Sequence, residues 1–562
     1  YCMVATRWFD LKNKYLKTTL EIKSPALINA LRTLVPYYPD NTSLHMDKTI
    51  KVEDPPALIY HYRNELHEYA QAQDVDAKTK LHISYVLRYL ATIMGEQIEE
   101  FNTHLDHGLI DYKNLWMIFR SGGWVYQPGK DQLYFFEQGA YGMTDGVASF
   151  DLKCHMVNYD GKNVGLEQTN LCIHKYEYPR DITALPVYPL NFHGDPKGLK
   201  RRLISRAQAF LELRGVQARE HKTIGRMMID CKTYQERKPI SVGAITLTES
   251  CKCVCPACRG QVVETVADYD HGLRVLSENE MLMCTSRVCG FSLSSHDWVQ
   301  VFITDLNEVQ WSTNAMEKLV MDEKQKKVIL SLVTSPVFTE GTNADIVGWK
   351  GKGLVTLLHG PPGTGKTLTA EVMSEHLHRP LYVVDGGELG TDAVHLEKNL
   401  RSILELSKRW QAIILIDEAD VFLEQRRARD IKRNNLVSVF LRRLEYFEGI
   451  LFLTTNRVEH FDDAFASRIH LALNYPELEP WMRREIWINA ISRFPADESD
   501  IGKPAALDEL SNVVLNGRVI SYAVRTAKAL ADAEGKKMGV SHLWDVVRVY
   551  QKFNGQFKGE AS

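Results

Sequence analysis

Four short, continuous apolar runs dominate the second half of the chain: Leu354 to His359, Leu381 to Val384, Ala412 to Ile416 and Gly449 to Thr455. Runs of this length, rich in branched residues, predict strands buried on both faces, as in a parallel sheet covered by helices. Helical patterns stand between them, over Leu368 to His378 and Leu396 to Trp410. The first half reads differently. Thr18 to Lys23 alternates as a short strand does, and Ser24-Pro25 opens a helix. Helical runs follow over Ala57 to Ala72 and Ala77 to Leu105, with Met94 and Ile98 as core. From Trp116 to Tyr178 the period becomes two, with turns at Gly122-Gly123, Pro128-Gly129, Asp145-Gly146 and Asp160-Gly161. This predicts a small antiparallel sheet or partial barrel. Gly198 to Arg214 is a basic amphipathic helix carrying Lys200, Arg201, Arg202 and Arg206. A solvated face is the preferred reading, and a nucleic-acid or anionic-surface site the alternative. Residues 232–250 read as a polar connection, and Ser312 to Leu332 as one helix.

Composition narrows the class. The 562 residues are 44% apolar and 25% charged, with net charge −3. Nothing in that balance marks a nucleic-acid or membrane binder. No apolar run reaches membrane-spanning length. The chain opens at Tyr1, which leaves targeting unread. Ten cysteines in a chain of this length fit a reducing compartment, cytoplasm or nucleus, better than a disulfide scaffold.

The chemistry centres on Gly360-Pro361-Pro362-Gly363-Thr364-Gly365-Lys366-Thr367, followed by Leu368. This is a P-loop pattern between a strand and a helix. The glycines let backbone N–H groups turn toward phosphate oxygens, and the helix presents its positive end to them. Lys366 would reach the β- and γ-phosphates of ATP, or the β-phosphate of ADP, and Thr367 would ligate Mg²⁺. The run ending in Asp417-Glu418 supplies two carboxylates downstream. Asp417 would hold the Mg²⁺ shell and Glu418 would polarise the attacking water. Asn456 ends the next strand and would hold the water or the γ-phosphate from the other side.

Three stretches carry a resemblance: His359 to Thr367, Ile416-Asp-Glu-Ala-Asp420, and Thr454-Thr-Asn-Arg457 with Asp463-Ala464. They resemble the AAA branch of the AAA+ ATPases over about residues 340 to 555. Leu423-Glu-Gln-Arg426, Leu436 to Arg442, Ser467-Arg-Ile-His470, Leu20 to Pro25, Leu185 to Leu190 and Gly290 to Leu293 are similar to filamentous-fungal AAA proteins with a long N-terminal half. The resemblance implies an α/β fold: a P-loop AAA+ core, its parallel sheet between helices, and a C-terminal helical lid. A mixed α+β N-terminal region with the small antiparallel module would precede it. It further implies a homo-oligomeric ring of the hexamer type, and adenine lying against Val347-Gly348. Arg468 would be an arginine finger acting in the neighbouring subunit, and Arg518 a lid arginine contacting phosphate in cis. The loop 390–395 has no aromatic residue, unlike the pore loop of protein-threading relatives. The basic stretch from Glu424 to Asn435 is either channel lining or a solvated loop.

The expected domains are 1–115, an α+β region; 116–250, the β-rich module with its trailing helix; 251–340, a cysteine insertion and connector; 341–478, the ATPase core; and 479–562, the lid. Cys255 and Cys258 stand at knuckle spacing, and Cys284 with Cys289 could complete a structural zinc site that has no open position. The leading function is ATP-driven remodelling of an unknown macromolecular partner. The alternatives are a nucleotide-gated scaffold with little turnover and a nucleic-acid remodeller.

Overall fold

The computed structural model describes the chain except residues 36–37, 40, 42, 47, 239–244, 247–275, 336–352, 391, 424–430, 458–462, 496–497, 501–503 and 558–562. Two compact units emerge. One comprises Tyr1–Gln217, Ile229–Phe291 and Asp297–Leu306; the other comprises Ala218–Met228, Ser292–His296 and Asn307–Ser562.

The first unit is mixed α+β. Strands Met3–Phe9, Tyr15–Ile22 and Ile50–Glu53 form an antiparallel sheet. The first of these was not legible as a strand. Ser24 caps the helix Pro25–Leu34 by accepting from the Leu27 N–H, as the Ser-Pro pair predicts. The run at 57–72 breaks into two helices, Ala57–His61 and Arg63–Gln71, and Ala77–Asp106 is a single long helix. The alternating segment is an antiparallel meander of Trp124–Gln127, Gln132–Thr144, Val147–Tyr159 and Val164–His174. Phe136, Phe150 and Leu152 pack from it into the unit's core.

The basic helix spans Pro196–Glu212. Its charges are not all solvated. Arg206 is buried, donating to the Asp131 carbonyl and, at 3.1 Å, to the Cys284 carbonyl, while Arg202 pairs with Asp131 at 2.7 Å. Two of its cations therefore tie the unit together internally. The polar connection also begins as a helix, Cys231–Arg237, capped by Asp230.

The second unit is built on a parallel sheet with strand order Leu381–Asp385, Ile413–Asp417, Ile450–Thr455, Leu354–His359, Leu471–Asn474. Every residue of Ile450–Thr455 is buried, which is why the sequence shows a continuous apolar run there and no alternation. The parallel register brings the C-terminal ends of four strands to one edge: His359 lies opposite Thr455, and Asp385 opposite Asp417. The lid helices Pro480–Ile491, Pro504–Asn512, Gly517–Ala533 and Val540–Phe557 enclose their own core around Trp487, Ile520, Val524 and Leu543.

The single helix expected over Ser312 to Leu332 is a correction. A 3₁₀ turn occupies Met316–Lys318, and the α-helix is Glu323–Val333. Asp322 starts it, its carboxylate accepting from the N–H groups of Lys324 and Gln325. An N-cap carboxylate competes locally with continuing the helix through that position.

Phe452 is fully buried at the centre of the parallel sheet. Phe452→Ala should cost about 3–5 kcal/mol, read as a lowered urea midpoint at nearly constant slope. A cost under about 1 kcal/mol would place this side chain outside a packed core.

Candidate functional site

The strand Leu354–His359 runs into the glycine loop, and the helix Lys366–Leu377 leaves it. Gly360, Gly363 and Gly365 have φ of 143°, 77° and 103°. At Gly360 the requirement is also steric, because a Cβ there would sit 2.1 Å from the Tyr475 carbonyl oxygen. Lys366 is 7% exposed. Its ammonium donates to the carbonyls of Gly360 and Pro361, each at 2.7 Å, and to Asn456 Oδ1 at 2.9 Å. Burial lowers its pKa, while Asp417 and Asp420 pull it back up. Two of the sequence-predicted residues, Lys366 and Asn456, thus meet at the loop.

The Thr367 hydroxyl lies 3.2 Å from one Asp417 oxygen and 3.4 Å from the other. This close set of hard oxygens fits Mg²⁺. Thr454, which the sequence reading passed over, organises the two carboxylate residues. Its hydroxyl donates to Asp417 Oδ1 and accepts from the Glu418 N–H at 3.1 Å. Glu418 takes a left-handed backbone, φ 53°, which is unusual for a residue with a side chain. One hydroxyl therefore fixes the carboxylate before it and the peptide carrying the next. An alternating pattern could not reveal this, since Thr454 is one more branched residue in a buried strand.

A cavity of about 700 Å³ joins these groups; Lys366, Thr367, Asp417, Glu418, Asn456 and Arg518 all line it. Leu368 lines it too, as do Pro362 through Gly365. Arg518 arrives on the lid helix Gly517–Ala533, whose N-cap is Asn516. The Gly517 N–H donates to the Gly363 carbonyl at 2.8 Å, joining lid to loop. Glu371, one turn along the P-loop helix, also lines the cavity. Burial raises its pKa, with Asp417 and Glu375 adding to the rise.

A second missed set completes the wall. Arg226 pairs with Glu375 at 2.5 Å and lies 4.8 Å over the Trp311 ring; Ser312 donates its N–H to Glu375 at 2.8 Å. Arg226, Gln310 and Ser312 line the cavity far upstream in sequence of the P-loop. No local motif announces such a contact.

Other expectations fare differently. Arg468 is held within its own subunit by the Ala464 carbonyl at 2.8 Å and by Glu445 at 3.5 Å. Val347 and Gly348 lie outside the described residues, as do Cys255, Cys258 and most of the basic stretch after Glu424. The described half of the zinc expectation finds no support. Cys284 donates to the Glu280 carbonyl, and burial pushes its thiol up to about 12; Cys289 is instead beside Cys231. Among the described residues no three His, Cys, Asp or Glu side chains converge as metal ligands.

Strand, glycine loop and helix, with a carboxylate pair at the end of a strand two places away in the same sheet, are the parts of a P-loop nucleotide-binding domain. Residues 356–477 match the family described as ATPase family associated with various cellular activities (AAA). Residues 356–477 are thus an AAA-family domain, and the match does not extend to the rest of the chain. Residues 100–194 match a domain of unknown function, DUF7025. Among curated proteins, Spastin of Drosophila grimshawi is 28% identical over 38% of this chain and 28% of its own length. Fidgetin-like protein 1 of Homo sapiens is 28% identical over 33% of this chain and 28% of its own. The ATPase family AAA domain-containing protein 3A homolog of Drosophila melanogaster is 27% identical over 28% of this chain and 26% of its own. The matches thus span less than a third of each of these relatives. The solved FIGL-1 AAA domain in complex with ADP aligns at 19% identity with a TM-score of 0.34, over 43% of this chain and 85% of that one.

Proposed function

We propose that the chain hydrolyses ATP and couples the cycle to remodelling a macromolecular partner, within a ring of its own copies. The observation that carries this reading is the convergence of Lys366, Thr367, Asp417, Glu418 and Asn456 on one cavity. The ammonium of Lys366, now spent on loop carbonyls and Asn456, is placed to exchange those acceptors for phosphate oxygens. Thr367 and Asp417 would hold Mg²⁺, which when bound neutralises charge on the phosphates. Glu418, which lines the cavity from a left-handed backbone position, acts on the attacking water. Asn456 ties the position of that water to the lysine. Arg518 approaches the same phosphates from the lid. Arg468 is turned to its own subunit's Glu445, and in a ring would exchange that partner for the next subunit's nucleotide.

Lys366→Ala should weaken ATP binding by more than about tenfold, because a charged hydrogen-bonding partner of the phosphates is removed. Glu418→Gln should bind ATP normally and lose turnover. Both are read from a fluorescent-nucleotide titration and a phosphate-release assay. Equal turnover in wild type and Glu418→Gln would sink the hydrolysis reading.

Thr454→Val removes the bridging hydroxyl and keeps the side chain's shape. Turnover should fall about tenfold or more at nearly unchanged ATP affinity, and Thr454→Ser should restore it. If the valine variant turns over normally while Glu418→Gln is dead, the hydroxyl does not position the carboxylates.

Arg468→Ala should keep ATP affinity and lose turnover, and mixing it with Glu418→Gln should recover part of the rate. Activity per subunit should rise with protein concentration. Full activity of Arg468→Ala alone would remove it as a trans finger.

A further inference from the structure

The sheet of the first unit extends into a two-stranded ribbon whose end carries apolar side chains out into solvent. Trp8, Phe9, Tyr15 and Leu16 are all exposed there, and Leu11 at the tip is 108% exposed. Trp8 and Phe9 are consecutive, so they project from opposite faces. Phe9 sits opposite Tyr15, Trp8 opposite Lys17, and Leu16 is the residue left over at the irregularity between them. The ring centroids of Phe9 and Tyr15 are 6.1 Å apart, edge to face. The tip is an ordered turn: Asp10 Oδ1 accepts from the N–H groups of Lys12 and Lys14, each at 2.8 Å. That spends the tip's one carboxylate on the backbone. Arg7, Lys12 and Lys14 are exposed around it, and Lys17 pairs with Glu53.

We propose that this ribbon, residues 7–17, docks into the interface of a bilayer rich in anionic lipid. Three features select that occupant. First, apolar groups leave both faces and the tip, so what covers them must surround the ribbon; a flat protein surface would cover one face only. Second, the cations stand beside and behind Leu11, at the level of lipid headgroups when the leucine is immersed. Third, the distance from the Phe9–Tyr15 pair to the tip is about 7 Å at strand rise, which matches the roughly 5–10 Å depth of interfacial insertion. Nucleic acid would satisfy the cations and rings but leave Leu11 and Leu16 in water. No helix among the described residues is long and apolar enough to cross a membrane, so the proposal concerns docking at the surface.

The test is flotation of the whole 562-residue chain with phosphatidylcholine vesicles, with and without about one-third phosphatidylserine. The chain should float only with the anionic vesicles, and less at high salt. The double variants Leu11→Asp/Leu16→Asp and Lys12→Glu/Lys14→Glu should each lower the vesicle partition coefficient by more than about tenfold. Thermal midpoint and ATPase rate without vesicles should be unchanged, since these side chains are exposed and remote in sequence from the P-loop. Absence of flotation on anionic vesicles overturns the proposal, as does undiminished flotation of Leu11→Asp/Leu16→Asp. If instead that variant loses self-association, or loses retention on a single-stranded oligonucleotide, while neither protein floats, a second copy or a nucleic acid is the occupant and the lipid proposal falls.

Discussion

A buried ammonium is the group the ATPase unit is arranged to hold. Lys366 sits under the glycine loop, where an unpaired charge would be prohibitively costly. Its three donors are met by two loop carbonyls and the Asn456 side chain. Each partner has its own requirement. The carbonyls point inward only because the loop's glycines accept positive φ. Asn456 is in reach only because Ile450–Thr455 runs parallel to Leu354–His359 in a register that ends both strands together. Parallel pairing demands that helices cover both faces, and this accounts for the continuous apolar runs. Sheet topology, loop composition and strand-end chemistry therefore follow from one electrostatic problem. A phosphate ligand solves that problem better than the carbonyls do, since it brings full negative charge to the same ammonium.

What the sequence revealed and what it hid divide along the same physical line. Four of the five parallel strands were legible because burial on both faces leaves a short continuous apolar run; the fifth, Leu471–Asn474, is buried only at Leu473 and leaves none. The loop was legible because its dihedrals admit few residues besides glycine. The capping residues Ser24 and Asp322 mark helix starts through bonds two or three residues away; Ser24 is announced by the proline after it, whereas Asp322 stands in a polar run that hides the boundary. Thr454 and Arg226 could not be found this way. Thr454 reads as an ordinary strand residue until Glu418 folds back onto it. Arg226 gains its meaning from Glu375 and Trp311, partners that only the folded chain brings near. Arg206 shows the opposite failure, a cation read as solvated that is buried against Asp131.

The carboxylates of the site divide by surroundings as much as by position. Asp417 is shared between two hydroxyls, Thr367 and Thr454, so its oxygens are directed before any cation arrives. Glu371 has the reverse character: burial and the neighbouring negative charges of Asp417 and Glu375 push it toward the protonated form. Glu375 escapes that fate chiefly through Arg226 and the Ser312 N–H, which favour its charged form against burial. Two acids one turn apart on the P-loop helix are thus driven in opposite directions, and the cation responsible, Arg226, lies far upstream in sequence.

The lid bears on the loop through very little surface chemistry, and this suits a part that responds to nucleotide. Its helices bury their own apolar faces around Trp487, Ile520 and Leu543, so their packing does not depend on the sheet. At the loop, the Gly517 N–H meets the Gly363 carbonyl, and the Asn516 side chain that caps the lid helix lies where a Cβ on Gly363 would collide with it. A helix start therefore rests directly on the phosphate loop, with Arg518 beside it facing the cavity. Charge appearing at the loop acts on that helix end through its partial positive charge and through the arginine together. Because these helices share one apolar core, a displacement imposed at Asn516–Arg518 would be felt by all of them rather than by one.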